Sequence, residues 1–150
     1  MVFSQWTSFL DILEIALANH EVSFTRLDGK LSQQQRQNVL QSFMSKDPRS
    51  PFVLLCSLKA GGVGLNLTNA THVILCDPWW NPAIEEQAIM RIHRIGQTQK
   101  VSVTRFIVEN SVEEQMTLVQ ERKRTLCSGA LTGSEARLTR LEDLKLLFQS

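Results

Sequence analysis

The fold class is decided by an apolar run that leads directly into a polar, glycine-rich segment: Phe52-Val53-Leu54-Leu55-Cys56, then Ser57-Leu58-Lys59-Ala60-Gly61-Gly62-Val63-Gly64-Leu65-Asn66. A strand buried on both faces has such a continuous apolar sequence, and both faces are buried when helices cover a parallel sheet. A second run of this kind, residues 72–76, precedes Asp77-Pro78-Trp79-Trp80-Asn81-Pro82. These stretches predict two central strands of an α/β protein.

Working outward from this centre, strands and helices alternate along the chain. Further strands are predicted at residues 2–3, 22–26 and 101–108. Capping-box patterns at Ser8, Ser32 and Ser111 each predict the start of a helix between or after them. A glycine-containing hinge at 128–134 and a last short helix at 138–148 are also expected. Strand–helix alternation at this spacing predicts a parallel β-sheet with helices packed on it.

Composition excludes several classes of protein. The chain has 150 residues, a formal net charge of +1, and 43% hydrophobic residues. These values fit one globular domain and exclude a disordered chain or a tail that binds nucleic acid by bulk charge. The three cysteines form no CxxC pair, so we expect no metal site. Buried, reduced thiols are the simpler interpretation, and they suit a reducing intracellular compartment.

Polar or glycine-rich segments follow the first four predicted strands. They contain Ser4 and Gln5, then Asp28 and Gly29, then residues 57–66, then residues 77–82. The carboxyl ends of parallel strands share one edge, where ligands bind. The segment after the third strand matches neither GxGxxG nor GxxxxGK[ST], so it is not a known nucleotide-binding motif. Its unobstructed backbone amides and Lys59 nevertheless suit a phosphate at close range. An ordinary glycine-rich turn is the alternative for this segment.

A stripe of cationic residues is predicted on the helix that starts near Ala83. At 100° per residue, Gln87, Arg91 and Arg94 share one side of a helix that ends at Gly96. The adjacent apolar stripe is expected to face the sheet and consists of Ile84, Ala88, Ile92 and Ile95, with Glu85 and Glu86 lying away from the arginines. Arginine offers planar, permanently charged donors to phosphate oxygens, so this pattern indicates a polyphosphate or a developing phosphoryl charge.

These motifs together resemble the Swi/Snf family of DNA-dependent ATPases, within superfamily-two helicases. Residues 87–97 resemble the last motif of that family and residues 57–67 resemble the preceding one; Trp80-Asn81-Pro82 is a further family signature. Residues 2–6 and 26–29 are similar to two earlier motifs, although Lys30 and Leu31 replace the usual small hydroxyl residue after Gly29. Residues 111–126 resemble the bracing helix of the family, and residues 137–148 are similar to the tail of its Rad5/Rad16-like branch.

The resemblance implies the second of two RecA-like lobes: residues 1–110 form a RecA-like parallel β-sheet with helices on both faces, and residues 111–150 form a C-terminal bracing helix and helical tail packed on the lobe. Arg91 and Arg94 are then arginine fingers for ATP bound on a first lobe, and Gln87 helps to position them. Gly64 and Asn66 approach the nucleotide. Phosphates of one DNA strand are expected to contact Ser4, Gln5, Ser57, Leu58 and Lys59, and Trp80 is expected near the DNA.

The implied function is that of a motor lobe in an ATP-dependent DNA translocase for chromatin remodelling or DNA repair, inactive alone. ATP and Mg²⁺ would be held mainly by the first lobe, since the sequence contains no Walker A motif. The expected partners are double-stranded DNA, contacted without sequence specificity, the first lobe of the same parent protein, and nucleosomes. The resemblance implies a nuclear location, and a start at the first strand suggests a fragment or incomplete gene product. The alternatives are a non-catalytic DNA- or protein-binding module and a metabolic nucleotide-binding domain of Rossmann type.

Overall fold

The computed structural model of the chain describes residues 1–45, 47–61 and 67–127. Strands and helices alternate through these residues, as the sequence predicts. In chain order they are β1 (Val2–Ser4), α1 (Thr7–Asn19), β2 (Phe24–Leu27), α2 (Gln33–Met44), β3 (Val53–Ser57), α3 (Leu58–Gly61), β4 (His72–Leu75), α4 (Pro82–Met90), β5 (Ser102–Arg105) and α5 (Val112–Cys127). The predicted helix at 138–148 lies outside the described residues.

The five strands form one parallel sheet in the order β2-β3-β1-β4-β5. The first strand is central: Phe3 pairs in register with Cys56 on one side and with Leu75 on the other, and its side chain is fully buried. The connection after β1 leads to β2 on one side of it, whereas the connection after β3 leads to β4 on the other side of β1. The order of the strands therefore reverses next to β1, which is where open parallel sheets have their binding crevice. The predicted RecA-like α/β fold is confirmed.

Burial differs between the strands. The third strand is buried along almost its whole length, as its continuous apolar sequence predicts, whereas β4 alternates, with His72 exposed and Val73 and Leu75 buried. The fifth strand ends at Arg105 rather than at residue 108, and all of its residues are exposed. It is an edge strand paired only with β4, so part of its surface has no neighbouring strand to cover it.

The helix starts agree with the sequence at two of three positions. Ser32 forms a complete capping box: its hydroxyl accepts from the Gln35 N–H (3.3 Å), and the Gln35 side chain accepts from the Ser32 N–H (2.8 Å). Ser111 caps α5 by accepting from the Glu113 N–H at 3.1 Å. The box predicted at Ser8 is wrong, because α1 already begins at Thr7 and its N-cap is Trp6. The hydroxyl of Ser4 binds the Trp6 N–H instead (3.0 Å), which tethers the start of α1 to the end of β1.

Two of the three cysteines are free thiols, as the composition predicts. Cys56 lies buried in the centre of the sheet and Cys76 is half-buried just beyond β4. Burial raises the pKa of the Cys56 thiol to about 12 and that of Cys76 to about 11, so both stay protonated at neutral pH. Within the described part of the chain, no helix combines the length and apolar character needed to cross a bilayer.

Candidate functional site

The segments after β1 and β4 are joined by a buried carboxylate. Asp77 accepts a hydrogen bond from the Ser4 hydroxyl, and its second oxygen accepts from the Gln5 N–H at 2.9 Å. Burial raises the pKa of Asp77, while the hydrogen bonds from Ser4 and Gln5 oppose that rise. The amide of Gln5 also reaches the carbonyl of Pro78 (3.5 Å). The predicted phosphate-contacting segment after β1 and the segment that carries Trp80 after β4 are therefore held together as one surface.

The turn after β2 is held by a cluster of charges around Arg26. Its guanidinium binds Asp28 (2.9 Å) as well as Asp11 and Glu14 on α1, and its side chain is mostly buried. The other oxygen of Asp28 accepts from the Lys30 N–H at 2.9 Å. Both carboxylate oxygens of Asp28 are thus used to shape the turn.

The segment after β3 presents one exposed cation. Ser57 accepts from the Ala60 N–H (3.3 Å) through its hydroxyl, and Ser57 and Leu58 are both buried. Lys59 is exposed at the start of the short helix α3. Leu58 and Ser4 are 2% and 0% exposed, so both residues lie beneath the surface that a ligand would contact. Gly64 and Asn66 lie outside the described residues, so their roles stay predictions.

The arginine segment differs from the predicted continuous helix. Asn81 caps α4, its side chain accepting from the Ala83 N–H at 3.1 Å, and the helix ends at Met90 with Arg91 as its C-cap. Beyond it the chain makes tight turns, so Ile95, expected to face the sheet, is 98% exposed. Gly96 does have the left-handed backbone of a helix-ending glycine, with φ +103°, but it follows these turns rather than the helix.

The turns fix the two arginines away from the carboxyl edge of the sheet. The Leu67 N–H donates to the Arg91 carbonyl (3.1 Å), and the Gln97 N–H donates to the Arg94 carbonyl (2.9 Å). The Gln97 side chain binds the carbonyls of Thr68 and Ala70, just before β4 begins. The arginine segment therefore runs to the amino edge of the sheet. It presents Arg94 exposed and Arg91 half-buried, with Gln87 exposed on the preceding helix.

The sequence predicts only that Glu85 lies away from the arginine stripe, and its burial was not predicted. Glu85 is completely buried. Its Oε1 accepts from the Trp79 N–H (2.8 Å) and from the Gln120 amide (2.6 Å), and its Oε2 accepts from Arg105 Nε (3.1 Å). One signal was available: residues 85, 88 and 92 lie on one side of a helix, and Ala88 and Ile92 are core residues.

The Trp79–Trp80 segment contacts both α4 and α5. The two indole rings lie 6.2 Å apart between centroids and are tilted by 47°. On α5, the Lys123 ammonium lies 4.8 Å from the centroid of the Trp80 ring, within the range of a cation–π contact. Trp80 remains 48% exposed, so part of its ring is open to a ligand at the carboxyl edge.

The predicted site residues therefore fall into two groups. Those expected to contact DNA lie at the carboxyl edge, and the three expected to serve ATP that the structure describes, Gln87, Arg91 and Arg94, lie along α4 and the turns that follow it. Asp77, Glu85, Arg105 and Gln120 support these groups and were not among the predicted site residues. In the described residues, no group of three or more His, Cys, Asp or Glu side chains is arranged to hold a metal ion.

Comparison with known proteins agrees with this architecture. Residues 1–96 match the helicase conserved C-terminal domain. The chain is 60% identical over 148 residues to DNA repair protein RAD5A of Arabidopsis thaliana and 52% identical over 155 residues to DNA repair protein RAD5 of Kluyveromyces lactis. Each match covers 99% of this chain but only 14% of the relative.

A solved structure shows the same fold. The C-terminal part of the Fun30 ATPase domain superposes with a TM-score of 0.77 at 31% identity, covering 97% of this chain and 45% of that one. The prediction from the motifs is confirmed at the level of the family. The chain belongs to the helicase conserved C-terminal domain family, as a C-terminal RecA-like lobe of the Swi/Snf-type, Rad5-related kind.

Proposed function

We propose that this chain is the second motor lobe of an ATP-dependent DNA translocase that acts in DNA repair or chromatin remodelling. The chain spans about one-seventh of the length of its relatives RAD5A and RAD5, which are named DNA repair proteins. In this proposal the parent protein works on double-stranded DNA in the nucleus, with nucleosomes among its substrates. ATP and Mg²⁺ are held mainly by the first lobe. This chain, as the second lobe, contributes positively charged side chains to the phosphates.

The observation that carries the proposal is the exposed Arg94 on a turn fixed by backbone hydrogen bonds. A guanidinium that stabilises a phosphoryl transition state must be presented outward and held in place before reaction. The Gln97 N–H holds the Arg94 carbonyl, and the Leu67 N–H holds that of Arg91. Arg91 and Arg94 would donate to the γ-phosphate, Gln87 would help to orient them, and Gly64 and Asn66 would approach the nucleotide.

At the carboxyl edge, the proposed DNA contacts lie on the surface joined by Asp77 and on the segment after β3. Lys59 and the side-chain amide of Gln5 would bind phosphates directly, while the buried residues Ser4, Ser57 and Leu58 would shape this surface from below. Contacts of this kind read the phosphate backbone and not the base sequence, which translocation requires. Trp80 would contact the DNA strand, and a movement of that strand would be transmitted through Trp80 to α4 and α5.

The test joins this chain to the first lobe of Arabidopsis RAD5A and measures ATP hydrolysis with and without duplex DNA. Arg94→Ala should lower kcat by roughly 10³-fold or more, because an arginine finger contributes about that much, while the Kd for DNA stays unchanged. The matched control is Arg49→Ala, since Arg49 is an exposed arginine in the loop before β3 and pairs with Asp47. Unchanged turnover in the Arg94 variant would refute the finger assignment.

DNA contact is tested on the free chain by titration of duplex DNA across a salt series. Lys59→Ala should weaken binding equally for unrelated sequences and reduce the salt slope by about one, as expected for one lost phosphate contact. DNA binding without any ATPase in the joined protein would instead favour the non-catalytic binding module.

A further inference from the structure

The backbone N–H and carbonyl of Trp79 are held by side chains from two different helices. The N–H donates to Glu85 of α4 at 2.8 Å, and the carbonyl accepts from the amide of Gln120 on α5. The same amide donates to Glu85 at 2.6 Å. Glu85 is fully buried and Gln120 is 3% exposed, so these bonds form where water does not compete. Glu85, Gln120 and the backbone N–H and carbonyl of Trp79 thus form one closed set of hydrogen bonds, which we term the Trp79 joint.

Bonds at the surface extend the Trp79 joint toward solvent. Lys123 donates to the Trp80 carbonyl at 3.4 Å while its ammonium lies over the Trp80 ring. Arg124 pairs with Glu86 at 3.0 Å, and both side chains are partly exposed. An exposed pair of this kind contributes little to stability. The buried bonds at Trp79 therefore fix α5 on α4 far more firmly than the surface pair does.

The Trp79 joint and the first of the two arginines lie at opposite ends of α4. Glu85 lies in the first turn of the helix, and Arg91 is its C-cap. A helix of nine residues is about 13 Å long and moves as one rigid body over that length. Displacement of the Trp79–Trp80 segment must therefore either carry α4 and its arginine end along or break buried hydrogen bonds.

We infer that Glu85 and Gln120 are positioning residues that couple the Trp79–Trp80 segment at the carboxyl edge to the arginine end of α4. The inference rests on the proposed function for its readout, because it states how contact of DNA with Trp80 reaches the arginines. It assigns α5 a role in this coupling through Gln120, apart from any packing that the helix provides.

The key variant is Gln120→Met, which keeps the length of the side chain and removes both hydrogen bonds to the Trp79 joint. The matched control is Val119→Ala, because Val119 is the neighbouring buried residue of α5 and makes no polar contact there. In the protein joined to the RAD5A first lobe, we measure the ratio of DNA-stimulated to DNA-free ATP hydrolysis. Gln120→Met should lower this ratio about tenfold, within the usual range of coupling between linked sites, and Val119→Ala should leave it unchanged.

A second measurement needs no ATPase. In the full chain carrying Trp6→Phe, acrylamide quenching reports only on Trp79 and Trp80. Gln120→Met should increase quenching while Val119→Ala, at a similar loss of Tm, should not. Glu85→Gln should act on the ATPase ratio through the same joint, so the double variant should lose less than the product of the two single losses.

The outcomes separate the two proposals. If the unmodified joined protein shows no DNA stimulation, the proposed function fails, and the coupling inference fails with it. If stimulation is present but Gln120→Met and Val119→Ala change the ratio equally, or neither changes it, the coupling inference alone is overturned. Unchanged quenching in Gln120→Met would overturn the positioning of the tryptophans by the joint.

Discussion

Replacing Glu85 with alanine should be among the most destabilising changes in this lobe. The substitution removes an acceptor that serves three donors: the Trp79 N–H, the Gln120 amide and Arg105 Nε. Arg105 is 38% exposed and can turn to water, but the Trp79 N–H and one N–H of the Gln120 amide lose their acceptor in a buried site, while the other N–H of Gln120 stays on the Trp79 carbonyl. Each buried, unsatisfied donor costs about 1–3 kcal/mol, so the expected loss is about 2–6 kcal/mol.

That range brackets the loss of about 3–5 kcal/mol known for breaking one side of a buried ion pair. Glu86→Ala is the matched control, because Glu86 is the adjacent carboxylate on the same helix. Its partner is Arg124, and the two side chains are 45% and 38% exposed. A surface pair of this kind contributes about 0–1 kcal/mol, so the two alanine variants should differ by several-fold in their effect on the free energy of unfolding.

The assay is urea denaturation followed by far-UV circular dichroism. Small proteins have urea m-values of about 1–3 kcal/mol/M, so a loss near 4 kcal/mol should shift the midpoint by about 2 M without changing m. The total free energy of unfolding of such domains is about 5–15 kcal/mol, so a folded variant should still be measurable. If Glu85→Ala destabilises the chain no more than Glu86→Ala does, the reasoning about the buried donors is wrong.

Two further predictions concern the carboxyl edge and a helix start. Burial raises the folded-state pKa of Asp77 above its ordinary 3.8, so its contribution to stability is full below that value and is lost as pH rises through the folded pKa. Asp77→Asn cannot ionise and keeps an acceptor for the Gln5 N–H. The urea midpoint of this variant should therefore rise relative to that of the unmodified chain as pH rises. A difference between the two midpoints that does not depend on pH would contradict this. Ser32→Ala breaks the capping box with Gln35 and should cost about 1 kcal/mol, read from the same midpoint, while an unchanged midpoint would show that the cap contributes nothing.

Local signals in the sequence predicted most of the fold. Continuous apolar runs located β3 and β4, and the capping box at Ser32 located α2, because these patterns depend on residues close in sequence. The end of α4 was not predictable in this way. Helical spacing continues through Ile95, but hydrogen bonds from Leu67 and Gln97 to the arginine segment belong to turns that replace the helix. Those bonds depend on where the chain lies relative to the start of β4.

The candidate site shows the same division between short-range and long-range information. The order and spacing of the motifs identified the family, the exposed Lys59 and the arginine segment, since each motif is contiguous. The sequence could not show that Asp77 and Ser4 share a hydrogen bond, because 73 residues separate them and only the pairing of β1 with β4 joins them.

By itself, the sequence determined an α/β lobe of the Swi/Snf kind, through periodic apolar patterning and contiguous motifs. The tertiary structure alone decided which donors surround the buried carboxylate of Glu85. A buried carboxylate requires several donors around it, and these come from Gln120, 35 residues away, from Arg105, 20 residues away, and from the Trp79 backbone. Only the folding of α5 and β5 against α4 brings those donors to one point in space.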